Sequence, residues 1–157
     1  MFNDFIDVTR IAANSAGTRV VVPNGSPFSA EGGHIVLLGV NGNAVSELDR
    51  AIDYPASYEA LLAPDDASVL VSSFEADRVV SFTLAGDQLV EGDILSVALA
   101  EQMDVVRRGL SSGLVVAAAV TDVRVLQIDG PGSLVDVATV ALGDGNDNIT
   151  TAIAVQP

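Results

Sequence analysis

Three short apolar segments recur along the chain at a constant spacing. They run over 34–40, 78–84 and 123–128, so that aligned positions lie 44 residues apart. Apolar residues recur at every second position, which is typical of a β-strand because successive side chains point to opposite faces of a sheet. Asn41-Gly42 and Asp129-Gly130 follow two of the segments, and such dipeptides favour hairpin turns because they accept positive φ. The pattern predicts three repeated hairpins.

The aligned positions of these segments define a predicted core. Residues two apart on a strand share a face, so positions that are apolar in all three segments should point inward. The residues expected to be buried are Leu38, Phe82 and Leu126 at one aligned position, and Val40, Leu84 and Ile128 two residues later.

Each hairpin belongs to a larger unit of four predicted strands, which we label a to d. Strand a is predicted at 8–13, 58–63 and 105–110, strand b at 19–22, 68–71 and 113–116, strand c is the recurring segment, and strand d follows each turn near 45–48, 89–91 and 134–137. Four strands in about 44 residues correspond to one β-propeller blade. We therefore predict an all-β chain. It would form a single propeller-type domain over 1–157, with units of about 8–52, 57–96 and 104–142 and a final strand at 149–155.

Positions 93–108 carry a competing helical pattern. Leu95, Leu99, Met103 and Val106 have roughly helical spacing, and Asp93 could cap the first turn. The repeat instead requires strand a of the third unit at 105–110. We follow the repeat, because three coinciding patterns outweigh one periodicity, and keep an α+β fold as the alternative.

The middle unit carries the best-defined motif of the chain. A Pro64-Asp65-Asp66 turn is followed by a strand at 68–71, a short polar loop and a strand at 78–82. This order resembles the repeat of lactonase-type (YVTN-like) β-propellers, which has a Pro-Asp-Gly turn at the first place. The other two units depart from it, with 14–17 and 111–113 in place of the turn. The resemblance implies a propeller fold. For enzymes of that type it implies acidic, Arg and His residues around the central channel, and none of these matches this chain residue by residue.

Three units are fewer than a closed propeller needs, because rings typically contain roughly four to eight blades. A free arc of blades would leave apolar faces exposed, which favours association. We therefore expect a homo-oligomer that closes the ring, or a chain whose ring is completed by the remainder of a longer propeller.

The composition argues against some classes of binding partner. The chain has 21 acidic and 7 basic residues, a net charge of −14, which argues against nucleic acid and against an anionic membrane surface. An acidic surface of this kind is expected to keep a protein soluble. The absence of Cys excludes disulfides and zinc–thiolate sites. No segment has the pattern of a signal peptide, and the compartment stays open: cytoplasmic, or secreted or periplasmic if the sequence is a trimmed piece of a longer protein.

The first unit contains the candidate binding residues. The loop between strands b and c is long there, and Pro27, Phe28 and Glu31 lie on it, while the other units make this connection in a few residues. His34, the only histidine, follows this loop at the start of strand c. A Ser–His–Asp arrangement with Ser26 or Ser29 is one interpretation, and a strand-end surface position is the alternative.

Two further sites are candidates. Arg124 replaces an apolar residue of the other two strands c, so it either lines a ligand pocket or forms a structural ion pair. The string at 143–149 resembles one copy of the calcium-binding nonapeptide repeat of β-rolls, with Asp144, Asn146 and Asp147 as oxygen ligands. Because stacked copies normally complete such a site, a polar loop is the alternative, and no other cofactor is predicted.

The sequence favours a non-enzymatic binding or assembly module built from propeller blades. Its ligand would be a protein, a small molecule or a carbohydrate. Part of a lactonase-like or other propeller hydrolase is the alternative. It ranks second because one His and scattered Arg residues form no dense catalytic cluster.

Overall fold

The computed structural model describes residues 10–25, 33–73, 76–98, 100, 102–107, 113–119 and 121–142. These residues form three four-stranded antiparallel sheets, in which the strands are neighbours in chain order. No helix occurs within these ranges, so the all-β prediction is confirmed and the α+β alternative is wrong. Each sheet has the form of one propeller blade, and we number them blades 1 to 3 along the chain.

The strands follow one another with short connections. Blade 1 contains β1 (Ala12–Ala13), β2 (Arg19–Asn24), β3 (His34–Asn41) and β4 (Ala44–Ile52). Blade 2 contains β5 (Ser57–Leu62), β6 (Ser68–Ser73), β7 (Arg78–Ala85) and β8 (Gln88–Ser96). Blade 3 contains β9 (Gln102–Val105), β10 (Leu114–Ala118), β11 (Asp122–Ile128) and β12 (Leu134–Ala141). The predicted last strand at 149–155 lies outside the described residues.

Strand a of blade 3 lies earlier than the sequence indicated. The prediction was 105–110, whereas β9 covers Gln102–Val105 and pairs Val105 with Val115. The helix-like spacing arises because Leu95 and Met103 both reach the same core from two different strands. The outer strands β4, β8 and β12 are also longer than predicted, because their solvent-facing residues lack the apolar alternation that marks a half-buried strand.

The core consists of two clusters, one on each side of blade 2. Residues of blades 1 and 2 form the first, which we call core 1–2: Ala12, Val21, Ile35, Leu37, Tyr54, Ala60, Leu62, Val69, Val71, Val80 and Phe82. Residues of blades 2 and 3 form core 2–3: Leu61, Leu70, Val79, Val97, Ala100, Met103, Val105, Val115, Ala117, Ala119, Leu126 and Leu134. Adjacent residues such as Val79 and Val80 enter different clusters, because successive side chains of a strand point to opposite faces. Blade 2 is therefore apolar on both faces.

The predicted core positions are only partly buried. Phe82 and Leu126 are buried in the two clusters, and Leu84 and Ile128 pack against their margins. Leu38 and Val40 are instead half-buried and belong to neither cluster of the described residues, so the prediction was wrong for them. The reason is the direction in which these side chains point. This aligned position faces the preceding blade, and blade 1 is preceded by none among the described residues.

The backbones of blades 2 and 3 approach each other closely at Gly92. A Cβ atom there would lie 2.1 Å from the carbonyl oxygen of Gly132, and the neighbouring Asp93 N–H donates to that same oxygen at 2.9 Å. We expect Gly92→Ala to lower the free energy of unfolding by about 3 kcal/mol, since both groups are backbone and one blade must move. Urea denaturation would measure this.

Gly39→Ala is the matched control for that substitution. Gly39 also lies in a strand, but its added Cβ would meet only the side chain of Leu48, at 3.0 Å. A flexible side chain can shift, so the loss should stay below about 1 kcal/mol. Equal losses in the two variants would show that the contact between the blades is not rigid.

Candidate functional site

Polar side chains lie at one end of the strands in each of the three blades. The antiparallel order brings the end of strand b, the start of strand c and the end of strand d to the same edge of each sheet. We call this the upper edge. The first residue of strand c there is His34 in blade 1, Arg78 in blade 2 and Asp122 in blade 3, all at one position of the 44-residue repeat.

His34 is held by two donors. Its Nε2 atom lies 2.8 Å from Nδ2 of Asn24, on the neighbouring strand, and 3.0 Å from a terminal nitrogen of Arg50. An amide nitrogen and a guanidinium nitrogen can only donate, so with Nδ2 of Asn24 facing the ring this arrangement requires Nε2 to accept and the ring proton to sit on Nδ1. The imidazole is therefore neutral and half-buried, with its Nε2 lone pair occupied.

Arg50 is itself fixed by a carboxylate on the same strand. Its Nε and a terminal nitrogen donate to the two oxygens of Glu47 at 2.9 and 2.8 Å. These hydrogen bonds are the main reason that the pKa of Glu47 is lowered from its ordinary value. The bidentate geometry orients the guanidinium towards His34.

Arg78 occupies the equivalent edge position in blade 2. Its guanidinium carbon lies 5.4 Å from the centre of the Tyr54 ring, and a terminal nitrogen lies 3.4 Å from the carbonyl oxygen of Asp53. The Nε atom of Arg78 is buried and has no hydrogen-bond partner in the part of the chain that the structure describes. An unpaired donor shielded from solvent is unfavourable, so an acceptor that reached it would stabilise the site.

The ring of Tyr54 packs against the guanidinium group of Arg78. It packs edge-on against Phe82, with the ring centres 5.2 Å apart, and its hydroxyl donates to Glu91. Burial raises the pKa of Tyr54 above its ordinary value, and the hydrogen bond to Glu91 adds to the effect. The phenol stays protonated and serves as a platform for the guanidinium.

Asp122 and Arg124 form an ion pair within blade 3. Arg124 Nε lies 3.4 Å from Oδ1 of Asp122, and a terminal nitrogen of Arg124 donates to Asp136. Blade 3 thus balances the charge of Arg124 with two carboxylates. The structural ion pair that the sequence left open is the arrangement found here.

A buried carboxylate joins Arg10, just before the first strand of blade 1, to the first strands of blades 2 and 3. Glu59 accepts a hydrogen bond from Arg10 at 2.5 Å and another from the Met103 backbone N–H at 2.7 Å. Arg10 also donates to the Met103 carbonyl oxygen at 3.0 Å. Burial raises the pKa of Glu59 despite these two donors. With both oxygens occupied, Glu59 holds the strands together rather than presenting a base to a ligand.

Several predicted site residues lie outside the described residues. They are Pro27, Phe28 and Glu31 of the long loop, Ser26 and Ser29, and the calcium candidates Asp144, Asn146 and Asp147. The long-loop and calcium sites therefore stay predictions. Within the described ranges, no group of three or more His, Asp or Glu residues is arranged to hold a metal ion. A search of the same ranges for a helix long and apolar enough to cross a membrane finds none.

Sequence reasoning missed most residues of this site, among them Asn24, Arg50, Glu59, Arg78 and Asp122. Arg78 could have been found, because it lies 44 residues after His34 and shares its repeat position. Asn24 and Arg50 give no such signal, since their importance depends on contacts across the strands of blade 1. A cleft of about 160 Å³ at the opposite edge, next to Pro64 and Gly130, is small for a ligand pocket.

The comparisons with known proteins agree with this architecture. No protein-family model matches the chain, and no curated protein matches it. A putative 6-phosphogluconolactonase from Bacteroides fragilis superposes with a TM-score of 0.69 at 15% identity over 83% of this chain. The periplasmic gluconolactonase of Pseudomonas aeruginosa gives 0.70 at 15% identity over 88%. The chain has a β-propeller fold.

A third similar structure carries a different name. The hydrazine synthase of Kuenenia stuttgartiensis gives a TM-score of 0.68 at 14% identity over 92% of this chain. The chain spans 38%, 43% and 38% of the lengths of these three proteins. Identities this low show the shared fold alone.

Proposed function

We propose that this chain forms part of a lactonase-like propeller hydrolase whose upper edge binds a small, oxygen-rich ligand such as a sugar lactone. The observation that carries the proposal is the repeated edge position, where successive blades present His34, Arg78 and Asp122. Rigid strands hold such side chains in fixed positions, as ligand binding requires.

The names of the similar structures favour this hydrolase over the non-enzymatic module that the sequence favours. Two of them are called gluconolactonases. The third is called a hydrazine synthase, so one fold carries unrelated activities and does not by itself select one. The chemistry of the upper edge therefore has to support the choice.

Lactone hydrolysis needs a donor that binds the carbonyl oxygen and a base that activates water. Arg78 suits the first role, because its guanidinium charge favours an oxygen acceptor. His34 suits the second, since imidazole is the side chain whose ordinary pKa, about 6.5, lies near neutrality. Its Nε2 accepts from both Asn24 and Arg50, so a water molecule would take up this lone pair by displacing both donors.

Replacing His34 tests the proposal. We expect the full chain to hydrolyse members of a sugar-lactone panel above the spontaneous rate. His34→Gln should lower kcat/KM about 100-fold, the lower end of what a positioned base contributes. The melting temperature should change little, because Gln retains an acceptor at this half-buried position. Continuous titration of the released acid measures the rate.

Arg19→Gln is the matched control. Arg19 pairs with Asp87 at the opposite edge of the blades, so its loss should leave the hydrolysis rate unchanged. A full chain with no rate above the spontaneous one would contradict the hydrolase. Lactone binding measured by calorimetry without turnover would support the binding module instead.

An assembly module, which associates with another protein, is a second candidate function. It rests on exposed apolar residues rather than on the upper edge. Blades 1 and 3 each expose an apolar residue on a face that no other described blade covers, Val45 at 50% and Val140 at 54%, while Val22 and Val36 on that face of blade 1 are buried. Exposed apolar surface on rigid sheets favours association with another protein.

A further inference from the structure

Blades 1 and 2 each pack three aligned apolar residues against the blade that follows. These are Val21, Ile35 and Ala51 in blade 1, and Leu70, Val79 and Leu95 in blade 2. The first three belong to or border core 1–2, and the second three belong to or border core 2–3. We call such a set the outgoing triad of a blade.

Blade 3 has an outgoing triad with no blade packed on it among the described residues. The strand register assigns Val116, Val123 and Val140 to this triad. Val123 pairs with Val140 in blade 3, just as Val79 pairs with Leu95 in blade 2. None of the three belongs to core 2–3. Val116 and Val123 are half-buried, and Val140 is 54% exposed.

Blade 1 has the complementary face. Blades 2 and 3 receive the preceding blade on Val69, Phe82 and Leu84, and on Val115, Leu126 and Ile128. The aligned residues of blade 1 are Val20, Leu38 and Val40. All three are half-buried, and they lie outside both core clusters of the described residues. We call them the incoming face of blade 1.

We propose that a second copy of this chain covers both faces, with the incoming face of one copy packed on the outgoing triad of blade 3 of the other. The new contact would repeat the geometry of the two interfaces inside the chain, which use the same aligned positions. Two copies of three blades give six, within the roughly four to eight at which propellers close. A two-fold axis would make both contacts at once and leave no end open.

The proposed contact lacks one hydrogen bond of the internal interfaces. Asp49 accepts from the Leu89 N–H at 2.7 Å, and Asp93 accepts from the Leu134 N–H at 2.9 Å. Blade 3 has Ala138 at the corresponding place, opposite Val125. The apolar residues of this contact lie beside the Glu47–Arg50 ion pair, which shares the incoming face of blade 1, and the interface forms against the repulsion of two chains that each carry −14. Added salt should strengthen it by screening that repulsion.

Mass measurement tests the proposal. Light scattering should give about twice 16.1 kDa for the wild type, with the dimer fraction rising with salt. Val140→Asp should shift the dissociation constant at least tenfold towards monomer. Val90→Asp is the matched control, since Val90 is 48% exposed on the outer strand of the middle blade and should leave the dimer intact. A folded wild type with a mass of 16.1 kDa, or dimers unaffected by Val140→Asp, would overturn the proposal.

Cross-linking tests the head-to-tail geometry, which the absence of Cys in the chain makes simple. In the internal interfaces the place of Ala138 lies beside the place of Val45 in the next blade. The double variant Val45→Cys and Ala138→Cys should therefore give a covalent dimer on oxidation, whereas Val90→Cys with Ala138→Cys should not. A dimer that does not cross-link in the first pair would overturn the proposed ring. The inference does not depend on the hydrolase, so loss of lactone hydrolysis with an intact dimer would refute only the proposed function.

Discussion

Leu126→Ala is expected to lower the free energy of unfolding by about 2–5 kcal/mol, and Leu38→Ala by only about 1 kcal/mol. The two leucines occupy the same position of the repeat and undergo the same substitution. Leu126 is fully buried in core 2–3, so removing its side chain leaves a cavity that the rigid sheets cannot close. Leu38 is half-buried, and solvent already reaches part of the space that Ala would vacate.

Urea denaturation of both variants under conditions that keep the chain monomeric measures this difference. At higher protein concentration, the cost of Leu38→Ala should grow, because the proposed second copy would bury Leu38. Similar losses for both leucines in the monomer would show that the incoming face of blade 1 is already covered.

Glu59→Ala is expected to lower the free energy of unfolding by about 2 kcal/mol, the effect of leaving a buried hydrogen-bonding group without its partner. The substitution leaves the buried Met103 N–H without its acceptor and removes the carboxylate that faces Arg10. Because Glu59 links Arg10 at the start of blade 1 to the first strands of blades 2 and 3, thermal unfolding followed by circular dichroism should also become less cooperative. A change below about 0.5 kcal/mol would contradict the role assigned to this carboxylate.

The pH dependence of the wild type relative to Glu59→Gln separates charge from hydrogen bonding. Folding raises the pKa of Glu59 above its ordinary value of 4.5, so the folded protein disfavours the charged form. The stability that this group contributes is therefore fully present below pH 4.5 and is lost as the pH rises through the raised pKa. The wild type should lose stability relative to Glu59→Gln across that window. A constant difference would mean that the charge of Arg10 fully offsets the burial.

Only some residues of the candidate site could be identified from the sequence. His34 could be picked out because it is the only histidine, and Arg124 because it interrupts an apolar position. The environment of His34 could not be predicted, since Asn24 and Arg50 reach it only through the pairing of three strands in blade 1. Glu59 had no sequence signal either, because its partners lie 49 and 44 residues away along the chain.

The sequence by itself determined the blade as a unit. Strand alternation and turn dipeptides are local properties, and a blade pairs only strands that are neighbours in the chain, so a 44-residue repeat was enough to place three four-stranded sheets. Which face of each blade is covered depends on contacts between the sheets. Leu38 and Leu126 have the same local pattern, yet one is half-buried and the other is enclosed. That difference depends on whether another sheet stands in front of the residue, and burial between sheets is set by contacts that no local pattern encodes.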